Sequence, residues 1–444
     1  MKAYPKYKPS NIEWIGEIPE NWEVKKLKYL SIKNVQYGLN IGSEFYLNNG
    51  IRFLRTTDID DKGNLSDEGV FLSEKEVESN YILNIGDFLI SRSGTIGRAY
   101  VHQKNDIKYS YAGYLVRFCF NNIYLSKFIY YFTKTTIFFN WLNMNSIEAT
   151  IGNVNGQKYA NFSIQLPPNN ELNHIVTYLD DRTQKIGSLI EKKQKLIDLL
   201  KEERLAIINQ AITKGLNPNA PMKDSGIEWL GEIPKHWEAK RLKYVSYINP
   251  IKSNMKPEKS PEDLVTFLPM EKVSEDGQID IEIKRPIKDL LNGFTYFEEN
   301  DVIVAKITPC FENGKGALIR NLGSKVGFGS TEFHVLRTRE NIIIKEYLYY
   351  LTKSDFFMKL GESSMTGAAG QKRVPTSFLD NFVTCFPNEL EEQNLIVNFI
   401  ENEMTKNDNI IAKIEKEIAL LQEYHTALIS EVITGKIDVR GEAV

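Results

Sequence analysis

The residues best suited to chemistry in this chain sit in short polar loops. Ser91-Arg92-Ser93-Gly94-Thr95-Ile96-Gly97-Arg98 joins two guanidinium groups to three hydroxyls and two glycines. Arginine donates two hydrogen bonds to a guanine edge or to phosphate, serine and threonine serve either, and glycine lets backbone approach a ligand closely. A second segment, Lys306 to Lys315, carries Thr308, Asn313 and Lys315 in a similar setting. The triplet Gly156-Gln157-Lys158 returns as Gly370-Gln371-Lys372, followed by Arg373. Glutamine matches adenine, and lysine matches phosphate or guanine. The candidate DNA contacts are therefore Arg92, Ser93, Thr95, Arg98, Gln157 and Lys158, then Lys306, Asn313, Lys315, Gln371, Lys372 and Arg373. The competing reading is of solvated hairpin loops and a shared structural turn.

Catalysis finds no comparable support. The one Pro-Pro, Leu166-Pro167-Pro168-Asn169, lacks the flanks of an amino-methyltransferase motif and reads as a rigid break before a helix. No P-loop or dinucleotide-binding glycine motif is present. Glu282-Ile283-Lys284 could be half of a nuclease site, but it has no defined acidic partner. The five histidines are scattered, without metal-ligand spacing. The expectation is a non-catalytic binding protein with no metal site and no cofactor of its own.

Composition permits this without proving it. The chain has 444 residues, 42% hydrophobic and 25% charged, which is ordinary for globular protein. A net charge of −3 means that a DNA-binding face must concentrate its cations. Cys119, Cys310 and Cys385 lie far apart, as expected in a reducing cytoplasm. No apolar run is long enough for a bilayer, and the N-terminus MKAYPKYKPS has no signal-like apolar stretch, so a cytoplasmic protein without membrane contact is expected.

What must position these loops is one design written twice. Residues 12–29, IEWIGEIPENWEVKKLKY, return as IEWLGEIPKHWEAKRLKY at 227–244, with thirteen of eighteen positions identical. Weaker echoes follow: Gly86-Asp87-Phe88-Leu89-Ile90 with Asn300-Asp301-Val302-Ile303-Val304, and Tyr130-Tyr131-Phe132-Thr133-Lys134 with Tyr349-Tyr350-Leu351-Thr352-Lys353. The two Gly-Gln-Lys triplets are taken as a further pair. Short apolar runs between Gly, Asn and Asp clusters predict strands, and 124–142 and 344–360 predict helices. Each repeat ends in a long helix. In the first, apolar residues include Ile175, Leu179, Leu189, Leu196 and Leu200; in the second, Ile400, Ile410, Ile418, Leu421 and Leu428. Read as heptads, these form a seam between the two helices. Gly215 and Pro218 end the first helix and start a linker.

The expected fold is α+β: two tandem, similar α+β domains separated by two long antiparallel coiled-coil helices with pseudo-two-fold symmetry. The expected boundaries are 1–170 and 215–390 for the domains, 171–214 and 391–435 for the helices, and 436–444 for a tail. A coiled-coil scaffold with two protein-binding heads shares this architecture and remains the alternative.

The duplicated Trp-rich opening resembles the start of each target-recognition domain in the specificity subunits of type I restriction-modification systems. So does the pattern of Gly-Gln-Lys, then Leu-Pro or Phe-Pro, then the helix starts "NELNHIVTYLD" and "LEEQNLIVNFI". Helix ends Ala-Ile-Thr-Lys-Gly and Val-Ile-Thr-Gly-Lys resemble the conserved spacers of that family. The resemblance covers nearly the whole chain; one departure is Asn-Glu-Leu-Asn where the family often has Glu-Gln. It implies that each domain reads one half of a split double-stranded DNA target and that the helices set the spacing. It also implies two docked modification subunits, which bind S-adenosylmethionine and methylate adenine at N6. Restriction subunits using ATP and Mg would join them.

Overall fold

The computed structural model describes residues 2–145, 153–252, 260–368 and 370–443. Its helices in chain order are α1 (Leu27–Leu30), α2 (Ile123–Phe132), α3 (Thr136–Asn145), α4 (Gly156–Asn161), α5 (Asn169–Lys214), α6 (Leu242–Val245), α7 (Ile287–Leu290), α8 (Lys345–Lys353), α9 (Asp355–Ser363), α10 (Thr376–Asn381) and α11 (Leu390–Ile433). The chain divides into two compact units. One comprises residues 1–193 and 415–444, the other residues 194–414. Each unit thus takes one globular domain and a length of both long helices.

In the first unit, a four-stranded antiparallel sheet runs in the order Gln36–Tyr37, Leu115–Phe118, Phe88–Ser91, Ala99–Val101. A second sheet places Ile51–Leu54 between Val70–Leu72, antiparallel, and Tyr109–Tyr111, parallel. The opening strand Glu23–Lys26 pairs with Ser163–Leu166 just before α5. The core gathers Trp22, Phe88, Phe118, Phe128, Phe132 and Tyr159 with Ile175, Leu179 and Leu428 of the long helices.

The second unit repeats this plan. Ser246–Ile248, Phe333–Thr338, Val302–Ala305 and Gly316–Leu318 form the antiparallel sheet. The companion sheet has four strands, Lys284–Pro286, Leu264–Leu268, Val326–Gly329 and Thr295–Glu298, with one parallel pair. Trp237–Arg241 pairs with Val383–Pro387 ahead of α11.

The duplicated tryptophans weld each domain to a long helix. Trp22 and Trp237 are fully buried. Trp22 Nε1 donates to Glu171 at 2.8 Å, and Trp237 Nε1 donates to Glu392 at 3.0 Å. Tyr4 and Asn21 also donate to Glu171, as His236 does to Glu392. Both carboxylates lie in the first turn of their helix, where unpaired N–H groups favour negative charge. Trp14 and Trp229 stack on Phe162 and Phe382, so these rings are occupied by packing.

The predicted helices at 124–142 and 344–360 are each two helices. The break comes from a hydroxyl cap: Thr135 Oγ1 accepts from Phe138 N–H ahead of α3, and Ser354 Oγ from Phe357 N–H ahead of α9.

Within each unit the long helices run antiparallel. In the first, Lys193 pairs with Glu417 while Leu172 and Ile175 lie in one core with Val432 and Ile433. In the second, Arg204 Nη1 lies 3.0 Å from Asp408 Oδ1, and Ile208 and Ile212 pack with Ile396 and Ile400. The heptad register, however, needs correction. Ile175, Leu179, Leu200, Ile400 and Leu428 are buried, and Ile418 and Leu421 are half-buried. Leu189, Leu196 and Ile410 are exposed, at 43%, 44% and 42%. Burial in α5 instead follows Ile175, Ile186, Ile197 and Ile208, spaced by eleven. Eleven residues make about three turns at 3.67 per turn, and the contact face drifts opposite to a 3.5-residue heptad. The sequence carries apolar residues on both faces, so periodicity alone could not choose between them.

Candidate nucleic-acid interface

The first candidate loop leaves the strand Phe88–Ser91 and returns at Ala99–Val101. The second leaves Val302–Ala305 and returns at Gly316–Leu318. Both are closed by the same hydrogen bond: Ser91 N–H to Arg98 O at 2.8 Å and Ala305 N–H to Lys315 O at 2.9 Å. A carboxylate–guanidinium pair anchors each parent strand. Asp87 meets Arg117 at 2.5 Å, and Asp301 meets Arg337 at 2.7 Å. In both, the carboxylate also accepts a backbone N–H, from Asn84 or Glu298. Equivalent loops therefore stand on equivalent foundations, while their side chains differ.

In the first loop Arg92 lies over the Tyr37 ring, 4.8 Å from its centroid, and its Nε is buried without an acceptor. Ser93 is half-buried and bridges to Asn153; Thr95 is exposed. Arg98 is committed: Nε donates to Asp61 at 2.7 Å and Nη1 to Ile59 O at 3.2 Å. In the second loop the ammonium groups of Lys306 and Lys315 have no hydrogen bond or ion pair among the described residues, and Asn313 is exposed. Lys306 lines a concavity of about 330 Å³ with Asn249, Tyr296, Phe333 and His334. Burial pushes the His334 pKa down, against the opposing hydrogen bond that Nε2–H donates to Val374 O at 2.9 Å.

The two Gly-Gln-Lys triplets are not equivalent, contrary to the expectation from sequence. Asn153 bridges to Ser93, and Arg373 bridges to Ile307. Val154 N–H donates to Arg92 O, and Val374 N–H to Lys306 O. Equivalent short helices follow, α4 from Gly156 and α10 from Thr376. The first triplet therefore opens a helix, whereas the second precedes the bridge, six residues before its helix. Gln157 is exposed, and Lys158 Nζ donates to Asn145 O at 2.7 Å. Gln371 and Lys372 are exposed. Arg373 is held by Glu332 through contacts of 2.8 to 3.1 Å, which hold the Glu332 carboxyl below its ordinary pKa and raise that of Arg373.

With this arrangement in hand, a sequence profile described as the type I restriction modification DNA specificity domain matches residues 19–199 and 234–420. The chain belongs to this family. The matched segments begin at the two Trp hairpins and run into the long helices, so the family pattern is present twice. The specificity subunit of the type I restriction enzyme EcoAI of Escherichia coli is 37% identical over 213 residues, 48% of this chain and 35% of that protein. The chain therefore matches about a third of that relative's length. The MjaVIII specificity subunit of Methanocaldococcus jannaschii is 25% identical, with 98% of this chain and 97% of that protein covered. A chain solved in work on complex assembly and conformational transition of the type I R-M system shares the fold. Its TM-score is 0.69 at 13% identity, covering 95% of this chain and 99% of that one.

One repeated constellation in this chain escaped the sequence reading. Tyr130 of α2 with Lys134 in the turn just after it, and Tyr349 with Lys353 of α8, grip a hairpin turn in their own unit. Tyr130 Oη–H donates to Lys62 O, and Lys134 Nζ donates to Asp61 O at 2.7 Å. Tyr349 Oη–H donates to Asp276 O at 3.3 Å, and Lys353 Nζ to Glu275 O at 2.8 Å. The recurring Tyr-Tyr and Thr-Lys were visible as a repeat, but their targets are backbone atoms that leave no mark in a sequence.

Proposed function

We propose that this chain is the DNA-reading subunit of a type I restriction-modification complex and has no catalytic step of its own. The observation that carries this reading is the pair of loops after Phe88–Ser91 and Val302–Ala305. One scaffold, built twice, presents different polar side chains: Arg92, Ser93 and Thr95 in one, Lys306, Asn313 and Lys315 in the other. Equal frames with unequal readers suit a split, asymmetric target in double-stranded DNA. Phosphate contacts position each domain, and contacts to base edges specify the half-site.

Partners supply the chemistry. Two modification subunits carrying S-adenosylmethionine methylate adenine N6 after flipping it out of the duplex. Restriction subunits bring ATP and Mg for cleavage. This chain binds none of these cofactors and works in the cytoplasm. The exposed apolar side chains of the long helices are the proposed docking sites: Leu189 and Leu420 in the first unit, and Leu196, Leu199, Phe399 and Ile410 in the second. Exposed apolar groups in numbers mark interaction surfaces.

The test is a methylation map. The chain is co-expressed with its modification subunit in a host lacking adenine methylation, and modified adenines are located genome-wide by single-molecule sequencing. A split, non-palindromic motif that depends on this chain is expected. An intact co-purifying complex that leaves the genome unmethylated and binds no DNA overturns the reading in favour of a protein-binding scaffold.

A further inference from the structure

The Tyr130–Lys134 and Tyr349–Lys353 pairs do more than brace a turn. In the first unit they hold the hairpin around Asp60–Asn64. Asp61 of that hairpin receives Arg98 Nε, and Ile59 O receives Arg98 Nη1. Arg98 is the closing residue of the first loop. In the second unit the link is direct: Lys353 Nζ donates both to Glu275 O of the hairpin and, at 2.6 Å, to Gly314 O, next to the closing residue Lys315. Two routes thus end at the same place, the return limb of the loop.

We propose that Tyr130 with Lys134, and Tyr349 with Lys353, are positioning residues that fix the pose of each unit's DNA-reading loop, and so the sharpness of the half-site it reads. The proposal rests on the reading above that these loops face DNA.

Three observations support it. The grip is on carbonyl oxygens, which every sequence has, so one clamp can serve loops of different composition. It is also costly: neither ammonium has an ion pair among the described residues, and burial lowers both pKa values, that of Lys353 to about 8. A half-buried cation held by main-chain oxygens and a tyrosine face, with no carboxylate paired to it among the described residues, needs a reason to be there. Finally, the hairpins are shaped to receive the clamp. Gly63 and Gly277 have positive φ, and a Cβ on either would lie 2.7 Å from the Tyr130 ring or 2.1 Å from the Tyr349 hydroxyl. A site whose support is loosened by a fraction of an ångström loses discrimination before it loses its fold.

The experiment uses the full chain with its modification subunit. Lys353→Met and Tyr349→Phe are compared with Lys134→Met and Tyr130→Phe by genome-wide methylation mapping. Each second-unit variant is expected to keep one half of the motif sharp. In the other half, methylation at single-mismatch sites should rise about tenfold, the size of one weakened base contact. The first-unit variants should blur the opposite half. A motif unchanged in all four overturns the proposal. So does equal blurring of both halves by one variant, or loss of all methylation from a complex that still assembles. Should the lysine variants fail to fold, the Tyr→Phe pair, which removes only one hydroxyl in each unit, decides by the same criteria. A wild-type motif that is not split would instead overturn the functional reading itself.

Discussion

Lys306 and Arg373 lie on neighbouring backbone in the second unit, and both are cations that could face a phosphate. Their surroundings separate them. Among the described residues the Lys306 ammonium makes no hydrogen bond or ion pair and stands at the wall of an open concavity, whereas the Arg373 guanidinium is claimed by Glu332. A cation already paired releases little more by meeting a phosphate, because the carboxylate must first be given up. Lys306→Ala is therefore expected to lower the slope of log K against log salt by about one for the assembled complex on DNA. Arg373→Ala should leave that slope within error. Fluorescence anisotropy across a salt series measures both. Equal effects of the two variants would mean that the Arg373–Glu332 pair opens on binding.

At the scale of elements, adjacent residues of α5 have opposite roles. Ile197 is 3% exposed and Leu196 is 44% exposed. An aspartate at Ile197 would be buried without a partner and leave a hole where a branched side chain packed. The expected cost is about 3 kcal/mol or more, seen in chemical unfolding. An aspartate at Leu196 meets water and should leave unfolding nearly unchanged, while weakening co-purification with the modification subunit. If Leu196→Asp assembles normally, the exposed apolar face of the helix is not the docking surface.

At the scale of the whole molecule, the chain's last residues complete its first unit. Val439 is fully buried, His174 Nε2 lies 2.8 Å from Val439 O, and Lys2 bridges to Asp438. Tyr7 Oη–H donates to Gly435 O, and Arg440 lies over the Tyr4 ring. Removing residues 436–444 exposes this seam and, for Val439 alone, forfeits about 1.5 to 3 kcal/mol of burial. Hydrogen exchange should then quicken in residues 2–19 and 169–179 and stay unchanged in 222–248. Faster exchange throughout both units would show that they unfold as one body.

The sequence by itself determined the duplication, the strand-rich middles, the two long helices and the absence of any recognisable catalytic motif. Each is written in local signals: identical segments, short apolar runs between turn residues, and forty residues free of proline. It even held the means to detect its own false pair. Tyr130 and Tyr349 are 219 apart, yet the Gly-Gln-Lys triplets after them are 214 apart, so pairing the triplets requires a five-residue gap in the second repeat. Only the tertiary structure decided the rest. Which apolar face of α5 becomes the seam depends on what packs against it, since both faces are apolar enough. Whether Arg98, Lys158 or Arg373 is free depends on partners 13 to 41 positions away in the chain. The clamp of Lys134 and Lys353 acts on main-chain oxygens, which are the same in every residue, so it becomes visible only when the chain is folded.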